Sequence, residues 1–210
     1  MDNLAAIRRQ PRSAETRKRI MLAAIKVFGR HGLSGARTRA IAEEAGVNHT
    51  LLSYYFESKE QLWRQCAESI SRRYAERLET QVRANSGMDG KTRLKVLLRA
   101  IVGAAAENPE IHRFMVRYAL EESEPGAEGG RDNPATSSSS AVIQEIMALQ
   151  EEGVLPRNAD PLILQSILAG AATQIFVGAS RFQQRTGKDT HDPAVLKEYL
   201  EALFGCLVHD

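Results

Sequence analysis

The sequence predicts an all-α protein: a three-helix head carrying a helix-turn-helix, followed by a C-terminal bundle of about six helices. Three observations lead there. Apolar residues recur at helical spacing from residue 14 almost to the end, with no strand alternation and no internal repeat. An Ala45-Gly46-Val47 corner separates two short amphipathic segments, the dimensions of a helix-turn-helix. Basic residues gather at the front, with 11 Lys/Arg against 6 Asp/Glu in residues 1–60 and 17 against 20 in the remaining 150. Uneven surface charge arises by chance too. A basic front on a mildly acidic body nevertheless suits a polyanion-binding module joined to a scaffold with another task.

Residues 1–12, with Arg8, Arg9 and Arg12 around Pro11, read as a flexible basic arm, either a solvated tail or a contact to phosphates or a minor groove. The helix-turn-helix domain is expected over residues 13–57. Its first helix runs from about Ala14 to His31, capped by Ser13 or Thr16, with Ile20, Ala24, Val27 and Phe28 as its inner stripe and Gly32 as its end. A loop, Leu33 to Arg37, leads to the short helix Thr38–Ala45, whose inner face is Ile41, Ala42 and Ala45. Gly46 permits a positive φ, Val47 plugs the corner, and Asn48 caps a third helix reaching Tyr55.

A second, larger region is expected over residues 58–210. Ser58 caps a helix from Lys59 to about Asn85, and Ser-Gly-Met-Asp-Gly at 86–90 breaks it. Helices Lys91–Glu107 and Pro109–Ser123 follow, with Pro109 suited to a first helical position. The Gly/Pro/Ser-rich stretch 124–140 reads as a mobile loop. Further helices are predicted at Ser140–Glu152, Asp160–Arg185 and Asp192–Val208.

Composition excludes several classes of function. Forty-three per cent hydrophobic residues over 210 positions can bury one core or two small ones. No apolar run approaches the ~18 residues of a membrane span. The start, MDNLAAIRRQPR, lacks the apolar stretch of a signal peptide, so the expected compartment is the cytoplasm, with nucleoid association when bound to DNA. Cys66 and Cys206 match no zinc or Cys-x-x-Cys spacing and read as reduced structural thiols, a redox sensor being the less favoured alternative. The five histidines are scattered, so neither a metal nor a cofactor is expected. No nucleophile elbow, P-loop or dinucleotide fingerprint is present, and Glu43-Glu44 and Glu121-Glu122 are adjacent pairs pointing to different helix faces, which argues against an enzyme.

The chemistry of the third helix points to DNA. With Leu52 and Phe56 turned inward, His49, Thr50, Ser53 and Tyr54 face outward. His, Thr and Ser are sized to hydrogen-bond base edges in a major groove, and a Thr methyl can meet a thymine methyl. Asn48, the cap, is counted with them. Arg39 can pair with guanine or clamp a phosphate, Thr38 can donate to a phosphate, and the Tyr54 and Tyr55 hydroxyls can reach the backbone. Lys59 sits at a helix start, where its ammonium and the terminal amides both attract phosphate.

At this point a resemblance is specific. The run ARTRAIAEEAGVNHTLLSYYFESKEQLW, preceded by TRKRIMLAAIKVFGRHGLSG, resembles the DNA-binding domain of the TetR-like bacterial regulators over residues 16–63. Arg39 with Ile41-Ala42, the Ala45-Gly46-Val47 turn, Tyr55-Phe56 and Ser58-Lys59-Glu60 before Leu62 carry it. The resemblance implies a homodimeric repressor on a palindromic operator, with Thr38, Arg39, His49, Thr50, Ser53, Tyr54, Tyr55 and Lys59 at DNA-touching positions. Two departures stand out. Arg37 replaces a frequent Thr or Ser, which leaves the capping of the second helix open, and Leu51-Leu52-Ser53 replaces a common Thr-Leu-Tyr, so the operator sequence does not carry over.

The family's C-terminal domain dimerises and holds a small-molecule inducer. Here, small residues in 162–182 (Ala169, Gly170, Ala171, Ala172, Gly178, Ala179) and the stripe Val195, Leu196, Tyr199, Leu200, Leu203, Phe204 and Leu207 suggest a dimer seam through the last two helices, with intrachain packing as the alternative. Trp63, Phe114, Met115, Arg117, Tyr118, Glu121 and Phe176 mix aromatic, flexible and charged groups and are candidate liners of the inducer pocket, although such stripes more often form core. DNA binding by the same fold without a metabolite sensor is the alternative function.

Overall fold

The computed structural model describes residues 3–121 and 140–208, and these are helical with no strand among them. The helices are α1 (Asn3–Gly35), α2 (Thr38–Glu44), α3 (His49–Tyr55), α4 (Lys59–Ala84), α5 (Gly90–Glu107), α6 (Pro109–Glu121), α7 (Ser140–Glu151), α8 (Pro161–Val177), α9 (Ala179–Thr186) and α10 (Pro193–Leu207). The expected loop at 124–140 lies outside the described residues except for its last position, Ser140, which begins α7. Among the described residues no single helix is long and apolar enough to cross a bilayer.

Two boundaries differ from expectation for clear physical reasons. The first helix begins at Asn3, eleven residues before the predicted Ala14, and so takes in most of the stretch expected as an arm. Leu4, Ala5, Ala6, Arg8, Arg9 and Gln10 are strong helix formers, and Pro11 does not outweigh them. The helix expected over Asp160–Arg185 is two helices bent by 69° at Gly178. Gly178 has a non-helical backbone (φ −104°, ψ 25°), which a residue of low helix propensity concedes most readily. Elsewhere the caps act as residue chemistry demands. The side chains of Asp89, Asp160 and Asp192 accept from the backbone N–H of Thr92, Leu162 and Ala194, with Pro161 and Pro193 at the first helical positions.

The chain forms two compact units. The head unit holds α1, α2, α3, α4 through Ser71 and α6 from Arg113. Its core is Ile20, Ala24, Phe28, Ile41, Leu52, Phe56, Leu62 and Trp63, all 3% exposed or less, so the predicted stripe of α1 does face inward. The unit carrying the helix-turn-helix is thus larger than residues 13–57 and draws on two helices beyond them.

The C-terminal unit holds Arg72–His112 and the chain from α7 onward. Leu94, Leu98 and Val102 of α5, Ile146 and Leu149 of α7, and Leu164, Leu168 and Phe176 of α8 make one buried cluster. The α10 stripe expected as part of a dimer seam lies on this cluster: Val195 is buried, and Leu196, Tyr199, Leu200, Leu203, Phe204 and Leu207 are partly buried against it. The Tyr199 hydroxyl donates to the Ala171 carbonyl, joining α10 to α8. What remains uncovered is the outer face of α8, where Leu162, Ile163, Ile167 and Val177 are exposed.

One buried ion pair fastens α5 to α7. Arg93 donates from Nε to Glu145 (2.7 Å) and from Nη2 to Glu152 (2.7 Å), while Nη1 reaches the Met88 carbonyl at 2.9 Å. The Arg93 and Glu145 side chains are only 10% and 9% exposed. Removing one member of such a pair leaves an uncompensated charge. Arg93→Ala is therefore expected to lower unfolding stability by about 3 kcal/mol in urea titration; a change inside the error of the midpoint would show that the pair contributes nothing.

Candidate nucleic-acid interface

Helices α2 and α3 have seven residues each, too short to persist alone, and the corner between them is made by backbone bonds. Gly46 adopts φ 62°, and the N–H of Val47 donates to the Ala42 carbonyl at 3.0 Å. Asn48 accepts from the Leu51 N–H at 2.7 Å, as its capping role requires. Arg37, by contrast, makes no side-chain cap for α2, the point that the departure from Thr or Ser left open.

Leu52 and Phe56 are buried, whereas His49, Thr50, Ser53 and Tyr54 are exposed, Tyr54 by 81%. Arg39 is exposed on α2, and so is Arg37 just before it. Arg37 adds a cation to this surface beyond the residues expected there, and its place beside Thr38 is the sequence signal for it. Ser53 Oγ donates back to the His49 carbonyl at 3.2 Å, and Tyr54 and Tyr55 meet edge to face with centroids 5.4 Å apart.

Three candidate contacts are held by the protein itself. Lys59 is half-buried, and its Nζ donates to the Ala36 carbonyl at 3.3 Å, tying α4 to the turn before α2. The Tyr55 hydroxyl donates to Ser13 Oγ (3.2 Å), linking α3 to α1. Thr38 Oγ1 lies 3.0 Å from His49 Nε2. Arg17 adds a further brace: its guanidinium lies 5.3 Å from the Phe56 ring centre and donates to Gln65 Oε1 at 2.6 Å.

The residues expected to line an inducer pocket are used differently. Trp63, Phe114 and Tyr118 are buried against one another and Phe28, with Phe28–Trp63 and Trp63–Phe114 centroids 5.0 and 4.8 Å apart, so these rings fill space rather than line it. Arg117 donates from Nε to the Gly29 carbonyl (2.9 Å) and from Nη2 to that of Arg30 (3.2 Å), satisfying acceptors at the interruption of α1. Glu121 accepts from the Leu33 N–H, and a Cβ at Gly32, which has φ 70°, would collide with that carboxylate. Met115 is half-buried on the same helix, and Phe176 belongs to the core cluster of the C-terminal unit. In that unit an open recess of about 520 Å³ is bordered by Gln174, Ile175, Arg181, Phe182, Arg185 and Tyr199, none of them an expected liner. Arg181 and Arg185 are four residues apart and share a face of α9, a pairing that helical spacing already offered.

Of the two thiols, Cys66 is fully buried, and burial pushes its pKa well above the usual thiol range, which keeps it protonated and unreactive. Cys206 is exposed on α10.

Comparison with known proteins agrees with this geometry. The family model described as "Bacterial regulatory proteins, tetR family" matches residues 20–66. The chain is 42% identical over 57 residues to the HTH-type transcriptional dual regulator CecR of Shigella flexneri, covering 27% of this chain and 25% of that protein. The chain spans a quarter to a half of the length of the relatives it matches. Likeness in fold extends much further. A TetR-family transcriptional regulator from Haemophilus influenzae superposes with a TM-score of 0.68 at 18% identity, covering 93% of this chain and 98% of that one. The transcriptional regulator FadR of Bacillus subtilis, solved in complex with stearoyl-CoA, gives 0.67 at 17%, covering 90% and 97%.

If Lys59 acts first as a brace, Lys59→Met should lower the stability of the DNA-free protein by about 1 kcal/mol, the scale of one hydrogen bond from a charged donor at a partly exposed site. Unfolding curves identical to wild type would mean that its bond to Ala36 is idle.

Proposed function

The chain is TetR-like in its head and in its fold, and from that premise we propose that it is a DNA-binding transcriptional regulator acting as a homodimeric repressor on a palindromic operator, released by a small-molecule inducer. The observation that carries the DNA-binding part is the outward face of α3. His49, Thr50, Ser53 and Tyr54 are exposed together on a helix whose other face is locked into the head. A helix so mounted can enter a major groove with its polar side chains at base edges, while Arg37, Arg39 and Tyr54 sit where a phosphate backbone would pass.

Support for a dimer comes from the uncovered face of α8, where Leu162, Ile163 and Ile167 are exposed beside the exposed small residues Ala169 and Gly170. A two-fold axis along that face would bury them against their own copies. Two linked heads would then read two half-sites about one turn of DNA, ~34–36 Å, apart. The inducer reading draws on the B. subtilis regulator crystallised with stearoyl-CoA and on the recess beside α9. Two guanidiniums above Ile175, Phe182 and Tyr199 suit an anion with an apolar body. DNA binding without a sensor is favoured by a different observation, the filled aromatic cluster where the sequence suggested a pocket.

Gel shifts across a salt series test the main claim. Binding should weaken steeply with salt, Tyr54→Ala should weaken every duplex alike, and His49→Ala should change sequence preference. Equal effects of both substitutions on every operator variant would overturn this division of roles. Ile163→Glu with Ile167→Glu should turn a sedimenting dimer into a monomer and reduce operator affinity; an unchanged dimer would place the seam elsewhere.

A further inference from the structure

The contact between Thr38 and His49 assigns a role to a residue that otherwise reads as a phosphate donor. His49 is the first residue of α3 and is exposed. The imidazole torsion is broad, and either ring nitrogen can carry the proton, so an untethered ring there would present several hydrogen-bonding faces. Here its Nε2 lies 3.0 Å from Oγ1 of Thr38, the first residue of α2, eleven positions earlier and across the Gly46 corner. Thr38 is half-buried, and a β-branched side chain is stiff at χ1. The backbone beneath the ring is restrained as well, by the Asn48 cap on Leu51 and by Ser53 Oγ on the His49 carbonyl.

We infer that Thr38 is a positioning residue for recognition: its hydroxyl holds the His49 ring in one orientation, with Nε2 turned toward α2, so sequence preference at the base pair His49 meets depends on Thr38. This rests on the DNA-binding reading of α3. With Nε2 engaged, Nδ1 is the remaining polar atom of the ring, and its role follows the direction of the Thr38 bond. If the hydroxyl donates to Nε2, Nδ1 carries the proton and seeks a base acceptor; if Nε2–H donates to the hydroxyl oxygen, Nδ1 seeks a base donor. The major groove distinguishes these two edges. A phosphate contact by the same hydroxyl would compete with this bond.

Thr38→Val keeps the branched shape and removes the hydroxyl, whereas Thr38→Ser keeps the hydroxyl. Selection from randomised duplexes should show Thr38→Val and His49→Ala losing discrimination at the same base pair, on the order of tenfold. The double variant should lose no more than either, and Thr38→Ser should retain the preference. If Thr38→Val instead weakens all duplexes equally and adds to the effect of His49→Ala, Thr38 is a phosphate contact and the inference fails. Side-chain coupling constants of His49, measured by NMR in the DNA-free protein, separate the two claims. One ring orientation is expected in wild type and Thr38→Ser, and rotamer averaging in Thr38→Val. Equal averaging in wild type and Thr38→Val overturns the inference whatever the protein does with DNA. A wild-type protein that selects no duplex at low salt overturns the proposed function, and the specificity role of Thr38 with it.

Discussion

The packing of Phe28, Trp63, Phe114 and Tyr118 is the constraint on which the head depends. Two seven-residue helices have no stability of their own, and they are held only by what lies behind them. That backing is aromatic and comes from three helices: Phe28 from α1, Trp63 from α4, and Phe114 and Tyr118 from α6. The same turns of α6 supply Arg117 and Glu121, which satisfy the carbonyls and the N–H freed where Gly32 interrupts α1. Packing and polar closure therefore act at one place, on the helix against which α2 packs.

The polar surface above this core is partly self-employed. Lys59, Tyr55 and Thr38 each bond to another part of the head. Side chains ordered in advance lose less freedom when a partner arrives, so such bonds favour recognition even where they withdraw a donor from it. Tyr54, Thr50, Arg37 and Arg39 show the opposite arrangement, exposed side chains available to adapt to a phosphate or base.

Much of this was legible in the sequence because local rules determine it. Helical spacing, the Gly46 corner, the Asn48 and Ser58 caps and the inward pair Leu52 and Phe56 each depend on near neighbours. The first helix and the Gly178 bend were read less well, since helix formers around Pro11 and one glycine in an apolar run shift a balance of small propensities. The contacts of Trp63, Phe114, Arg117 and Glu121 are not legible in the sequence for a different reason. Their partners lie up to 88 residues away, and a mixed aromatic and charged stripe looks the same whether it lines a cavity or closes a core. Likewise, a seam and a core face are both apolar stripes, and only the fold assigned α10 to the core cluster while leaving the outer face of α8 bare.

The discontinuity of the head bears on how it is made. Phe28 and Trp63 emerge early from a ribosome, but Phe114 and Tyr118 follow some fifty residues after Trp63, with α5 between them. Until α6 has been synthesised, the helix-turn-helix has been made but its support is incomplete, and Phe28 and Trp63 stand without Phe114 and Tyr118. Vectorial folding that usually completes an N-terminal domain first is here deferred until a later helix returns to it. The reading head thus becomes whole only after part of the other unit has already been translated.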